Sequence, residues 1–270
     1  MKKTLIFALL IASLGCSKDN PSQKFLEDIL SSQRDQMPSE VQILELLQLP
    51  TDGYAAITSY ATLSTQPFRG PEVMIQGFGY NKGGASSDFG SLAFGSISTS
   101  PINTSTNSET NLNYLTIGAP GSKDLYGTTT SVSLAGKEGL PGFNTNFYIP
   151  KMMTITSPAF SNNSIISQGT TISWEADNSN TFGVGIAIRY DPDSFQNYQL
   201  NQSGSAVRNL FRVDDTGSYT ITASDLAGIP SGAHLMFGIG RGNYQRVSMA
   251  NDYHFGLITY SVVTHPFHKQ

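Results

Sequence analysis

From Tyr54 to Val263 the chain alternates apolar and polar residues with a period of two, in short runs. That period places every second side chain on one face of an extended strand, so this stretch is committed to half-buried β-structure. The clearest runs are Ile172, Trp174 and Ala176, then Val184, Ile186, Ile188 and Tyr190, and then Leu235, Phe237 and Ile239. Gly, Pro, Asn or Ser bounds each run, which is the chemistry that turns require. Strands are expected over Tyr54–Leu63, Glu72–Tyr80, Gly90–Ser96, Leu112–Ile117, Thr129–Ala135 and Thr145–Ile149. A second series covers Met152–Thr156, Thr170–Ala176, Gly183–Tyr190, Tyr198–Leu200, Ala206–Val213, Ser218–Ala223, His234–Arg241 and His254–Val263. Phe211 and Val213 lead into Asp214-Asp215-Thr216-Gly217, and Tyr219 and Ile221 lead out, which predicts a hairpin. Ser96–Asn111 is mostly Ser, Thr, Asn and Pro. It buries too little apolar surface for a core strand and is expected to be a loop.

Composition fits a strand-rich protein working outside a reducing cytoplasm. Charged residues are 13% of the chain, against about a quarter in ordinary soluble domains. Ser, Thr, Asn and Gly fill the difference. A single cysteine allows no disulfide within the chain, so stability must come from buried apolar area. Net charge is −4, with no basic cluster to neutralise phosphate, so nucleic acid is not an expected partner.

The cysteine is Cys16, and its position carries an address. Met1-Lys2-Lys3 begins the chain, an apolar stretch runs from Leu5 to Leu14, and Gly15 precedes Cys16. A basic start, a short apolar core and a small residue before the cut make a secretory leader. The apolar stretch is far shorter than the ~20 residues a spanning helix needs. Glycine followed directly by cysteine resembles the processing site of bacterial lipoproteins. The following Ser17-Lys18-Asp19-Asn20 resembles surface lipoproteins of Bacteroidota. This resemblance implies lipidation of Cys16 and a membrane partner engaged through an N-terminal lipid anchor. It also implies a place on the outer membrane, facing the cell exterior. Loss of residues 1–15 would remove Lys2 and Lys3 and move the net charge to −6.

Residues 16–50 are expected to be a tether or short helical segment, either a spacer holding the body off the membrane or helices that pack on the body, the latter favoured for 39–49. Phe25, Leu26, Ile29 and Leu30 share one side of a first segment. Ser39 would cap a second from Glu40 to Leu49, bearing Val41, Leu44 and Leu46 or Leu47 and stopped by Pro50. Pro150 and Lys151 mark the expected boundary between a β domain at 51–150 and another at 151–270. The second resembles immunoglobulin-like and fibronectin type III domains. Thr170-Thr171-Ile172-Ser173-Trp174 matches a strand carrying a core tryptophan, Gly183–Tyr190 matches its neighbour, and Leu226–Gly232 matches the approach to the next strand. Asp215–Tyr219 looks like a tyrosine corner placed one strand early. The expected fold is therefore all-β, with two antiparallel sandwich-like domains, the second immunoglobulin-like, after a short helical or linker segment.

Few residues point to chemistry. Of four histidines, His265 and His268 are closest in sequence, but they lack further ligands and are expected in a solvated tail. His234 and His254 begin strands. Asp191-Pro192-Asp193 and Asp177-Asn178-Ser179-Asn180 offer oxygens for calcium, but Asp and Asn also suit turns there. Glu175, Asp177 and Asp225 are carboxylates from which a glycosidase pair would be drawn. Gly238–Gly242 is glycine-rich but sits in strand context, where glycines mark bulges or close packing. Tyr80, Tyr114, Tyr126, Tyr148, Tyr198, Tyr244 and Tyr253 would make a glycan platform if exposed, or fill half-buried sheet positions if not. No catalytic, cofactor or metal residue is assigned, and the chain is not expected to be an enzyme. The expected function is that of a surface lipoprotein binding a glycan, a host component or a partner membrane protein. The alternatives are a hydrolase of a surface polymer and a structural subunit of a surface assembly.

Overall fold

A computed structural model describes residues 51–62, 72–83, 85–106, 109–137, 139–159, 164–194, 197, 199–200 and 202–270. Cys16, the leader and the two segments expected within 16–50 lie outside the described residues, as does Tyr198. In chain order the strands are β1 (Gly53–Thr62), β2 (Glu72–Gly79), β3 (Leu92–Phe94), β4 (Ile97–Thr99), β5 (Pro101–Thr106) and β6 (Glu109–Ile117). Next come β7 (Thr128–Leu134), β8 (Phe143–Ile149), β9 (Ile155–Ser157), β10 (Ile165–Ile166), β11 (Thr171–Trp174) and β12 (Val184–Tyr190). The last four are β13 (Val207–Val213), β14 (Ser218–Thr220), β15 (His234–Ser248) and β16 (His254–Lys269).

One long sheet runs in the order β13-β12-β15-β16-β1-β2-β6-β5, with β10 also paired to β16. Two small sheets accompany it, β14-β11-β9 and β4-β3-β7-β8. The fold is all-β and sandwich-like, as the period of two requires. Each small sheet lies over a different stretch of the same face of the long one. At β14-β11-β9, Ile172 and Trp174 of β11 pack against Ile186, Ile188, Leu235, Phe237, Ile239, Val263 and Phe267 of the long sheet. Beneath β4-β3-β7-β8 sit Ala55, Ile57, Ile75, Phe94, Val132, Phe147, Phe255 and Leu257. Full burial of such a side chain contributes about 1.5–3 kcal/mol.

Pro150, the expected boundary, thus falls between two cores within a long sheet that draws strands from both sides of it. The element shared by both cores is the β15–β16 hairpin, paired over its whole length from His234↔His268 to Ser248↔His254. Odd-numbered residues of β15 lie over one core at Phe237 and reach the other at Val247. β1 runs parallel to β16 in register and repeats the pattern, with Ile57 in one core and Ala61 in the other. At the hairpin tip Asn251 and Asp252 both take positive φ, 58° and 57°, a region that Asn and Asp tolerate better than most residues.

Three expectations need correction. Residues 96–111 are not a loop, because β4, β5 and the start of β6 occupy them. β5 ends the long sheet, and an edge strand needs backbone pairing more than a buried face; it obtains that pairing from β6. The turn Asp214–Gly217 does not close a hairpin either. β13 pairs with β12 in the long sheet, whereas β14 pairs with β11 in a small one, so the turn crosses between layers. His265 and His268 are not in a solvated tail, since β16 continues to Lys269.

Candidate functional site

The turn that crosses between layers carries Asp215 into the space between the two cores. There the Nη1 of Arg241, from the middle of β15, lies 3.2 Å from Oδ2 of Asp215, with both side chains buried. Trp174 donates its indole N–H to Oδ1 of the same carboxylate at 2.7 Å, and Asn180 donates to Oδ2 at 2.9 Å. Arg241 also donates to the Glu175 carbonyl. Beside this pair Asp177 accepts the Tyr148 hydroxyl at 2.7 Å and the amides of Lys151 and Ser179 at 2.8 and 3.0 Å. Asn243 donates to the Tyr148 carbonyl at 2.8 Å, and the Met153 amide donates to Ser261 at 2.8 Å. A polar seam therefore separates two apolar cores, tying β8, β11 and the crossing turn to the long hairpin.

The electrostatics of the seam follow from burial and pairing. Desolvation lowers the pKa of Arg241, and the charges of Asp215, Asp177 and Glu175 act against that shift. Burial alone would raise Asp177. The Lys151 amide, the Tyr148 hydroxyl, the Ser179 amide and the Arg241 charge outweigh it and leave the carboxyl below its usual value. Glu175 is lowered by its hydrogen bond and charge pairing with Lys151, 2.6 Å away at the exposed rim. Tyr148 is pushed up to about 12 by burial and by its bond to Asp177.

The carboxylates considered for acid–base work thus divide. Asp177 lies in the seam and Glu175 at its exposed rim, and the hydrogen bonds and charges around each favour its anion. Asp225 lies elsewhere, accepting the Tyr219 hydroxyl at 2.8 Å and the Thr222 amide at 2.7 Å. Tyr219 therefore spends its hydroxyl on Asp225 and forms no corner with Asp215. The oxygens considered for calcium serve turns, since Asp191 accepts the Asp193 amide at 3.0 Å and Asp177 is occupied as above. Among the described residues no three His, Cys, Asp or Glu gather where one metal ion would need them. Gly240 lies in the interior of β15, where a Cβ would meet Val262 at 2.7 Å and the Ser261 carbonyl at 2.9 Å. Close strand packing accounts for it.

The described tyrosines considered for a platform are buried or half-buried. Tyr114 and Tyr253 are buried, and Tyr80, Tyr126, Tyr148 and Tyr244 are half-buried. Tyr114 donates to the Gly90 carbonyl at 2.7 Å, and Tyr253 accepts the Lys82 amide and lies under the Lys82 ammonium at 4.6 Å. Exposed apolar groups are found instead on the second face of the long sheet. Tyr114 points into a core, so Leu115 and Ile117 point the other way, and Ile102 joins them through the β5–β6 register. These three are exposed, Ile117 by 53%. At the opposite wing Leu210 and Met236 are exposed on the same face. Leu115 and Ile117 fall in a strand expected from the sequence, but Ile102 falls in the 96–111 stretch expected to be a loop, so the sequence alone does not bring the three together. The alternation of Tyr114 with Leu115 and Ile117 was the available signal.

Among the described residues, no helix is long and apolar enough to cross a membrane. No protein-family model matches the chain. No curated protein matches it in sequence.

Proposed function

We propose that this chain is a cell-surface lipoprotein of the binding class, anchored through Cys16 and recognising a partner protein with the β5–β6 wing of its long sheet. The observation that carries the reading is the exposed trio Ile102, Leu115 and Ile117 on the face turned away from both cores. Contiguous apolar side chains on a rigid sheet favour protein contact. A glycan would call for exposed aromatic rings, and the described tyrosines considered for that role face inward or lie half-buried. The anchor rests on the leader and the Gly15-Cys16 step.

Two measurements test the two halves. On a broad protein and glycan array, the wild-type chain binds a protein, and the paired substitution Leu115→Lys with Ile117→Lys weakens that binding at least tenfold. The recognition half fails if nothing binds at levels where control binders score, or if the paired variant binds unchanged. Mass spectrometry of native protein finds Cys16 as an acylated N-terminus, and an unmodified thiol there would refute the anchor. A second reading, a subunit of a surface assembly, draws on the position of β5 at the end of the long sheet. Concentration-dependent self-association in sedimentation would favour it.

A further inference from the structure

His234 opens β15 and His268 lies near the end of β16, and the register sets them directly opposite. Lys269 donates its amide to the Ala233 carbonyl, which marks the adjoining pair as hydrogen-bonded. The His234–His268 pair is then the other kind. The His234 amide bonds to Asn197 at 2.7 Å and the His268 amide to Ser164 at 2.9 Å, neither to the facing strand. Non-hydrogen-bonded positions bring facing side chains closest together in an antiparallel pair. The two rings stand 5.2 Å apart between centroids at 83°.

That separation fits a chelate. Two imidazoles with nitrogens about 2.0–2.1 Å from one ion, at a tetrahedral angle, have ring centroids roughly 5 Å apart. Turning the rings about χ2, a broad torsion, directs a nitrogen of each towards a common point. Among the described residues no group hydrogen-bonds to either ring. Both residues are half-buried. Asn197, buried beneath, bonds both the amide and the carbonyl of His234 and fixes the backbone at that end of the pair.

We infer that His234 and His268 form a two-histidine surface site for a divalent first-row transition ion, with the remaining coordination positions left to water or to a ligand from a partner. Imidazole pairs suit Cu2+, Ni2+ and Zn2+, with Cu2+ bound most tightly. The site is separate from the apolar wing, because β1 and β2 lie between β16 and the β6–β5 edge of the long sheet.

The test is titration of the intact chain, free of any polyhistidine tag, with CuCl2, NiCl2 and ZnCl2 at pH 7.5. Thermal melting and histidine side-chain NMR are the readouts. Expected are a saturable rise in Tm that is largest for Cu2+, and shifts confined to the His234 and His268 resonances. His234→Gln and His268→Gln each weaken binding at least about tenfold, as losing one of two ligands should exceed the 10–100-fold cost of losing an outer-shell partner. His254→Gln, at the far end of the hairpin, binds as wild type. Circular dichroism confirms that each variant is folded. The inference is overturned if no ion shifts the protein, if either His234→Gln or His268→Gln binds unchanged, or if His254→Gln abolishes binding.

Discussion

The residue with most at stake is Asp215, because two hydrogen-bond donors and the buried Arg241 charge converge on it. Replacing it with Ala takes from the buried Arg241 charge its ion-pair partner and removes the acceptor of the Trp174 and Asn180 bonds. Breaking a buried pair from one side costs about 3–5 kcal/mol. Asp215→Ala should lose about that much in urea unfolding, and a paired change of Asp215→Leu with Arg241→Met should recover most of it. A paired variant as unstable as the single one would show that the charges do more than cancel each other. Asp177 sets the acid limb. Its pKa is lower folded than unfolded, so the unfolded chain binds the proton more tightly as pH falls. The stabilisation is present above about pH 4 and is lost as pH drops through the folded value. Asp177→Asn should flatten stability between neutral pH and pH 2, measured by unfolding at a series of pH values. Tyr148 sets the alkaline limb with the opposite sign. Raised to about 12, it keeps its proton when folded, so stability is intact below pH 10 and is lost as pH rises towards 12. Absorbance at 295 nm should show a late-ionising group of tyrosines in the wild type, and Tyr148→Phe should lower the amplitude of that step by one tyrosine.

At the scale of elements, strands were legible where one face is buried and hidden where the reason for a strand lies in its neighbours. Val184–Tyr190 announces itself by alternation alone. β5 does not, since an edge strand of Asn, Ser and Thr is held by its ladder to β6. β15 and β16 outrun their expected ends for a related reason. Gly242, Asn243 and Pro266 read as breakers in isolation. Yet Pro266 faces Met236 at a non-hydrogen-bonded position, where β15 asks no amide of it. The seam was half legible: Glu175 and Asp177 stood out as candidates, but Arg241 and Asp215 were seen only as the end of a strand and part of a turn. Their pairing depends on a turn that crosses between layers, and no short-range pattern encodes that. Gly240 gives the element-scale prediction. A Val there would press on Val262 and the Ser261 carbonyl in the strand shared by both cores. Gly240→Val should cost about 1–3 kcal/mol by overpacking. Gly185, its cross-strand partner, has room for a Cβ, with only the Gly240 carbonyl near at 3.9 Å, so Gly185→Ala should be far milder in the same denaturation assay.

For the whole molecule, the shared hairpin decides how the two cores depend on each other. Residues 51–270 form one compact unit. The core beneath β4-β3-β7-β8 takes Phe255 and Leu257 from β16, while the other takes Phe237, Val263 and Phe267 from the same two strands. β1 adds a ladder to β16 along ten residue pairs. Unfolding either core therefore strips the hairpin of half its cover and exposes the seam charges to a broken layer. This coupling predicts a single transition for the body, with calorimetric and van't Hoff enthalpies agreeing. Two resolved transitions, with Tyr148 and Trp174 reporting different midpoints, would mean that the hairpin does not transmit the loss. The same reasoning applies to cutting the chain at Pro150. A piece covering 151–270 would keep β15 and β16 but present Val247, Phe255 and Leu257 without β3, β7 and β8 above them. It should bind hydrophobic dyes or aggregate, and adding residues 51–150 in trans should restore solubility by rebuilding the missing layer. A fragment that stays monomeric, dye-free and cooperatively folded would locate the folding unit in the second half alone.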